Sequence, residues 1–248
     1  MGSRSLGFTF LSLVAVILLL VMTIVTSWYS FKNDGITTVD SNGTMVNYTV
    51  HAKVDLFLIG QKYEKIVKDE NGTEISHETI TQNWNEVGSE FSHIKRLYID
   101  ILGTICGGIF LFIVCTLFIL AKLFRAQSVR KIAKVLCCGR NGKVVVVLFV
   151  WAAVFLTIFS GLMLLRQPSA FNSDFDSYNF GIPCGDGKNS LIYNLTYAAC
   201  SEYSGSAGDL KWGPGVGWYL CWIGFALGII IGILVSVNRK RFQYHRIQ

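Results

Sequence analysis

Four stretches of the chain carry no charged side chain: Ser5–Phe31, Ile101–Ala121, Val144–Leu165 and Trp212–Asn238. A helix needs roughly 20 apolar residues to cross the hydrocarbon core of a bilayer, and each stretch meets that length. In lipid a lone segment satisfies its own backbone hydrogen bonds only as a helix. The pattern therefore predicts four spans. Between the first two spans the period changes. Val46, Tyr48, Val50, Ala52, Val54, Leu56 and Leu58 alternate with Asn47, Thr49, His51, Lys53 and Asp55. A period of two marks a half-buried strand. Asn42-Gly43 and Asn71-Gly72 sit between β-rich segments, and Asn-Gly is a strong hairpin signal because both turn residues take positive φ. Strands are expected near 36–41, 44–58, 62–69 and 73–81, as an antiparallel meander. The fold class is a membrane all-α four-helix bundle with an extracellular antiparallel β-sheet in the first outer loop.

The same pattern divides the chain. Residues 1–31 form the cytosolic N-terminus and first span, 32–96 the first outer loop, and 97–121 the second span. Residues 122–143 form a cytosolic loop, 144–165 the third span, 166–211 the second outer loop, 212–238 the fourth span and 239–248 a cytosolic tail. The first span is read as retained, because the apolar core of a signal peptide is only about 7–15 residues.

Charge sets the direction of insertion. The segment Lys122–Lys143 carries Lys122, Arg125, Arg130, Lys131, Lys134, Arg140 and Lys143 and no acid. A short basic loop between two apolar runs stays in the cytosol. Arg4 and the tail's Arg239, Lys240, Arg241 and Arg246 fall on the same side. The 16 acidic residues of the chain all fall in the two outer loops or at their edges. Composition agrees: 52% of residues are hydrophobic and 15% charged, where a soluble domain is near a quarter charged. The basic face suits anionic membrane lipids; it is not read as a nucleic-acid surface.

Four sequons, at Asn42, Asn47, Asn71 and Asn194, lie in the two outer loops. They predict surface N-glycosylation on the side that the charges place outside. Cys184 and Cys200 stand alone in the second outer loop and are expected to pair in an oxidising compartment. A disulfide there stabilises the loop by roughly 3 kcal/mol in the chain-entropy picture. Cys137 and Cys138 lie in the basic loop beside the membrane and are palmitoylation candidates. The tail reads Tyr244-His245-Arg246-Ile247, a tyrosine followed at the fourth place by a bulky apolar residue. Tyr244 and Ile247 form a candidate sorting signal for a clathrin adaptor, which takes such a peptide as an added strand. Endosomal or lysosomal cycling would follow.

Within the spans, Gly224, Gly228 and Gly232 recur every four residues, as do Gly103 and Gly107. Small residues at this spacing let helix backbones approach closely in lipid. Cys106, Cys115 and Cys221 are expected as small packing residues. Trp28, Tyr29, Tyr98, Trp218, Tyr219 and Trp222 are expected as an interfacial aromatic belt. No span interior holds an ionisable residue, which argues against a pump or secondary transporter. No phosphate-binding loop, metal-ligand spacing or nucleophile motif occurs. His51, His77 and His93 are expected as solvated loop residues. No cofactor and no catalytic constellation are expected.

Four spans, cytosolic termini, a β-rich first outer loop and a shorter second loop resemble the claudin and peripheral-myelin-protein superfamily. Trp28-Tyr29 at the close of the first span carries part of the resemblance. Gly217-Trp218-Tyr219-Leu220 with Trp222, entering the fourth span, carries the rest. The first loop holds Trp84 and no cysteine where that superfamily has Trp…Gly-Leu-Trp…Cys…Cys. The resemblance implies a non-enzymatic plasma-membrane protein in adhesion, membrane organisation, or service as an auxiliary subunit. Its partner would be itself or another membrane protein. The alternative is a channel-forming or pore-forming oligomer.

Overall fold

A computed structural model of the chain describes residues 2–41, 44–88, 91–123, 142–177, 202–207 and 209–237. The elements are α1 (Gly2–Val25), β1 (Tyr29–Ser41), β2 (Thr44–Phe57), β3 (Gly60–Lys68), β4 (Glu74–Asn83), α2 (Ser92–Leu123) and α3 (Gly142–Met163). After a 3-10 turn, Leu164–Arg166, come α4 (Gln167–Ser177), β5 (Gly205–Ala207), β6 (Leu210–Pro214) and α5 (Val216–Val237). Four helical stretches are long and apolar enough to cross a membrane: Gly7–Val25, Ser92–Leu120, Val144–Asp174 and Val216–Val237. The chain divides into a helical unit (1–22, 103–161 and 220–248) and a sheet unit (23–102 and 162–219).

In the helical unit the buried side chains are almost all aliphatic or aromatic, among them Leu13, Leu20, Ile105, Phe112, Val150, Val154 and Ile231. Two buried hydroxyls return to backbone carbonyls one turn back. Thr157 donates to the Ala153 carbonyl (2.9 Å) and Ser160 to that of Leu156 (2.8 Å). An unpaired hydroxyl in an apolar interior would cost a few kcal/mol, and these bonds remove that penalty. Ser160 also meets Thr104 at 2.7 Å, linking α3 to α2.

The sheet unit contains the expected antiparallel meander, β1 to β4 pairing in chain order, and extends it to six strands in the order β4-β3-β2-β1-β6-β5. Two of its strands come from the second loop, not the first, because β6 pairs along β1 from Tyr29↔Pro214 to Asn33↔Leu210. The first strand starts at Tyr29, inside the expected span, since α1 stops at Val25. Absence of charge alone could not reveal that switch. Tyr29 and Phe31 are buried while Lys32 is exposed. Likewise α2 opens at Ser92, before the expected span, and α4 is a helix inside the expected second loop. Trp212 belongs to strand β6 and not to the fourth helix.

The β3–β4 turn also differs from a two-residue Asn-Gly hairpin. The Gly72 N–H donates to the Asp69 carbonyl (3.0 Å), so Glu70 and Asn71 are the central turn residues. Gly72 follows with φ +79°, and the register shifts at Val67/Lys68. The Asp69 carboxylate accepts the N–H groups of Asn71 (2.9 Å) and Thr73 (2.7 Å), the local bond that lets an acid close a turn. Strands β1 and β2 stay in register up to Ser41 opposite Thr44, and the two residues joining them lie outside the described set.

Candidate functional site: a two-faced sheet

Residues directly opposite one another on adjacent strands share a face, so the register assigns each side chain. One face carries Val46, Tyr48, Val50, Ala52 and Val54 of β2, with Tyr63, Val67 and Ile80 of β3 and β4, and one charged pair, Lys65 opposite Glu78. At its base it carries Tyr29, Phe31, Leu56, Leu210 and Trp212. The base is a packed core. Phe31 meets Phe171 of α4 edge-on at 5.8 Å, and Tyr29 meets Tyr203 at 5.8 Å. Beyond the base, Val46, Tyr48, Val50, Val54, Tyr63 and Val67 are only half-buried, and Ile80 is 42% exposed.

The opposite face is charged. His51 Nδ1 lies 2.8 Å from Asp34 Oδ1. Glu64 receives Lys62 at 3.3 Å and His77 at 3.2 Å, and His77 also approaches Glu74 at 3.5 Å. Lys53 pairs with Asp55. The hydrogen bond from Lys62, then that from His77, hold the Glu64 carboxyl below the usual glutamate value. A shallow hollow of about 250 Å³ lies here among Lys32, Asp34, His51, Lys53, Glu64 and Ile66. The two faces thus differ in proportion. One is mainly ion-paired, with Ile36 and Ile66 among its charges; the other is mainly aliphatic and tyrosine, with Lys65 and Glu78 opposite one another on it, and its burial stops short of its outer half.

Two junctions hold the base of the sheet. At the α1–β1 junction Trp28 is fully buried, and its indole N–H donates to the Thr23 carbonyl (2.6 Å). Its backbone N–H donates to the Leu56 carbonyl (2.7 Å), and its carbonyl accepts from Gly215 (2.8 Å). Gly217 N–H donates to the Ser27 carbonyl (2.7 Å). A Cβ on Gly215 would lie 2.3 Å from that same carbonyl oxygen, and one on Gly217 would lie 2.7 Å from the Trp28 ring. At the α2 start, Asp174 of α4 accepts the N–H groups of His93 and Ile94. Tyr98 donates to Gln167 Oε1 (3.0 Å) and packs on Trp84 at 5.1 Å. Trp84 in turn donates to the Leu58 carbonyl (3.0 Å) at the β2–β3 turn.

These contacts correct the expected aromatic belt. Trp28, Tyr29 and Tyr98 are buried in protein, each with a polar partner, because their polar tips reach protein acceptors rather than headgroups. Tyr219 is 53% exposed, and Trp218 and Trp222 are half-buried. Burial raises the Tyr29 and Tyr203 hydroxyls above the ordinary tyrosine value, and Tyr29 and then Tyr219 add to the effect on Tyr203. The Tyr203 hydroxyl and Gln167 Nε2 are buried without a hydrogen-bond partner among the described residues.

The sequence-predicted residues fall as follows. Asn47 lies on β2 and is exposed; Asn71 is exposed in the β3–β4 turn. Asn42 and Asn194, Cys184 and Cys200, Cys137 and Cys138, and Tyr244 and Ile247 lie outside the described residues. In the helical unit a Cβ on Gly224 would meet Leu20 (2.9 Å) and Leu19 (3.1 Å) of α1. A Cβ on Gly228 would meet Val154 (3.0 Å), one on Gly232 Trp151 (3.2 Å), and one on Gly107 Leu156 (3.3 Å). Gly103 differs: a Cβ there meets nothing within 4 Å. Gly161, outside the repeats, receives the Trp222 ring at 3.3 Å. Cys115 and Cys221 are buried, whereas Cys106 is exposed. His51, His77 and His93 each face a carboxylate, a pairing that spacing along the chain did not show. No group of three metal-binding side chains forms among the described residues.

Against known proteins, no family model and no curated sequence matches the chain.

Proposed function

We propose that the protein is a non-enzymatic, glycosylated four-span membrane protein whose sheet binds another membrane protein or a second copy of itself. Both termini are cytosolic, the sheet faces the exterior, and the plasma membrane is its address. Adhesion, membrane organisation and service as an auxiliary subunit all use such a contact. The observation that carries this reading is the difference between the two faces of one sheet. Hydrophobic surface left open over several adjacent strands marks an interaction site more often than a solvated surface. The charged face supports its own solvation through the His51–Asp34 and Glu64–Lys62–His77 contacts.

Four helices long and apolar enough to cross a membrane support a setting in lipid, where partner choice is made within the plane or across a gap. Purification from its own host membrane in mild detergent tests the reading. A stoichiometric second membrane protein or a discrete homo-oligomer is expected. A monodisperse monomer with no partner, under conditions that preserve known complexes, contradicts it.

A further inference from the structure

The sequon Asn47-Tyr48-Thr49 lies inside strand β2, so the register decides which face its asparagine serves. Residues an even number of places apart on a strand share a face. Asn47 therefore shares a face with Thr49 and His51, whose partners on β1 are Ile36 and Asp34. That is the ion-paired face, and Asn47 is exposed on it. Val46, Tyr48 and Val50 serve the other face.

Ile36 is the second observation. It is 74% exposed on a face that is mainly charged. The backbone of Asn47 pairs with Thr38, so Ile36 is the diagonal neighbour of Asn47, about 7–8 Å away. The row of Thr49 and Ile36 is followed on the same face, about 7 Å along the strands, by His51, Asp34 and Ile66. Those three line the hollow of about 250 Å³, together with Lys53 and Glu64. A pyranose ring suits such a track. Its C–H face removes an isolated isoleucine from water. Its hydroxyls bond to carboxylate and ammonium groups, and bonds to charged partners are the stronger ones.

We propose that Asn47 carries an N-linked oligosaccharide that lies along the ion-paired face, over Ile36 and into the hollow beyond it. In that modification the Asn47 carboxamide nitrogen bonds to the anomeric carbon of a lipid-diphosphate-linked oligosaccharide. The lipid diphosphate leaves the sugar, and the nitrogen gives up one proton. The first sugar covers Ile36, and the hydroxyls of those that follow meet Asp34, His51, Lys53 and Glu64. The glycan thereby closes this face to a protein partner and leaves the apolar face clear. The inference rests on the proposed placement of the sheet on the exterior.

The test uses the full chain, purified in mild detergent from its host membrane. Glycopeptide mass spectrometry reads the occupancy of the four sequons, and Asn47 is expected to be occupied. Release of each glycan by a peptide N-glycosidase in heavy-oxygen water is then timed on the folded protein. Release at Asn47 should be slower than at Asn71 in wild type. Ile36→Ser should speed it, and Ile80→Ser, a change on the other face, should not. An amine-reactive label gives an independent reading. Asn47→Gln should label faster than wild type at Lys53 and at the same rate at Lys65, which lies on the other face. An empty Asn47 beside other occupied sequons overturns this inference and leaves the exterior sheet standing, whereas four empty sequons overturn both. An occupied Asn47 whose release is unmoved by Ile36→Ser, or a Lys53 labelled alike in wild type and Asn47→Gln, overturns the sugar's place on this face.

Discussion

The Asp174 carboxylate accepts the backbone N–H groups of His93 at 2.7 Å and Ile94 at 2.9 Å. One residue of α4 thus caps the first turn of α2 across 80 positions of sequence. It also receives the Ser92 hydroxyl (3.4 Å) and His93 Nδ1 (2.8 Å), while only 2% exposed. A buried carboxylate is costly by itself, but four donors and the positive end of a helix dipole offset that cost. Asp174→Ala leaves the buried Ile94 N–H and the part-buried His93 N–H without an acceptor, and a loss of about 1–3 kcal/mol attends a buried one. The expected destabilisation is about 2–3 kcal/mol, read as a lower unfolding midpoint in detergent. Asp174→Asn retains one acceptor oxygen and should lose less. An unchanged midpoint for Asp174→Ala would mean that the cap does not hold α2.

Gly215 and Gly217 permit the α1–β1 and β6–α5 junctions to touch. A methyl at Gly215 meets a backbone carbonyl at 2.3 Å, and a carbonyl in a sheet cannot step aside. Gly215→Ala should cost at least about 1–3 kcal/mol, the range for overpacking. Hydrogen exchange at Tyr29–Asn33 should rise in that variant, since those residues pair with β6. Unaltered protection there would contradict the close approach.

Glycines in the spans should divide by what their side chain would meet. Gly224→Leu and Gly228→Leu force apart helices whose neighbouring atoms already stand near 3 Å. Gly103→Leu enters open space. Expression of folded protein and its unfolding midpoint should fall for the first two and hold for the third. A Gly103→Leu variant that alone breaks the oligomer, with its fold intact, would instead place that open surface in a contact between chains.

How much of this was legible beforehand depends on the residue. The four helices follow from uncharged length, a signal that tertiary context does not disturb. Strands β2 to β4 follow from alternation and turn chemistry. The start of β1 was hidden because Trp28, Tyr29 and Phe31 are apolar whether they sit in lipid or in a protein core. The β6 pairing was hidden because Trp212 continues an uncharged run, and only contact with Phe31 reveals it as strand. The partners of His51, His77 and His93, and the cap at Asp174, depend on contacts between residues distant in sequence. No spacing rule reports those.

Acid and alkali should weaken the sheet unit for different reasons. Glu64 titrates below its ordinary value because it is ionised and bonded in the folded state. Its contribution is present above the unfolded value of 4.5 and is lost as pH falls through the lower folded value. Tyr29 and Tyr203 are held protonated by burial. Their contribution is full below the unfolded value of 10.0 and declines as pH rises beyond it. Glu64→Gln should flatten the acid limb of a stability–pH curve, and Tyr29→Phe the alkaline limb. A curve unmoved at both ends by these variants would contradict the assignments.

The central claim is that the apolar face, and not the charged one, makes the protein's contact. Val50 lies on the apolar face and Thr49, its neighbour on β2, on the other, and both are half-buried. The decisive measurement is recovery of the native partner or homo-oligomer with Val50→Asp and with Thr49→Asp, each purified from the host membrane in mild detergent. The account predicts that Val50→Asp loses the partner while Thr49→Asp keeps it, with matching unfolding midpoints. Retention by Val50→Asp, or loss with Thr49→Asp alone, would contradict it.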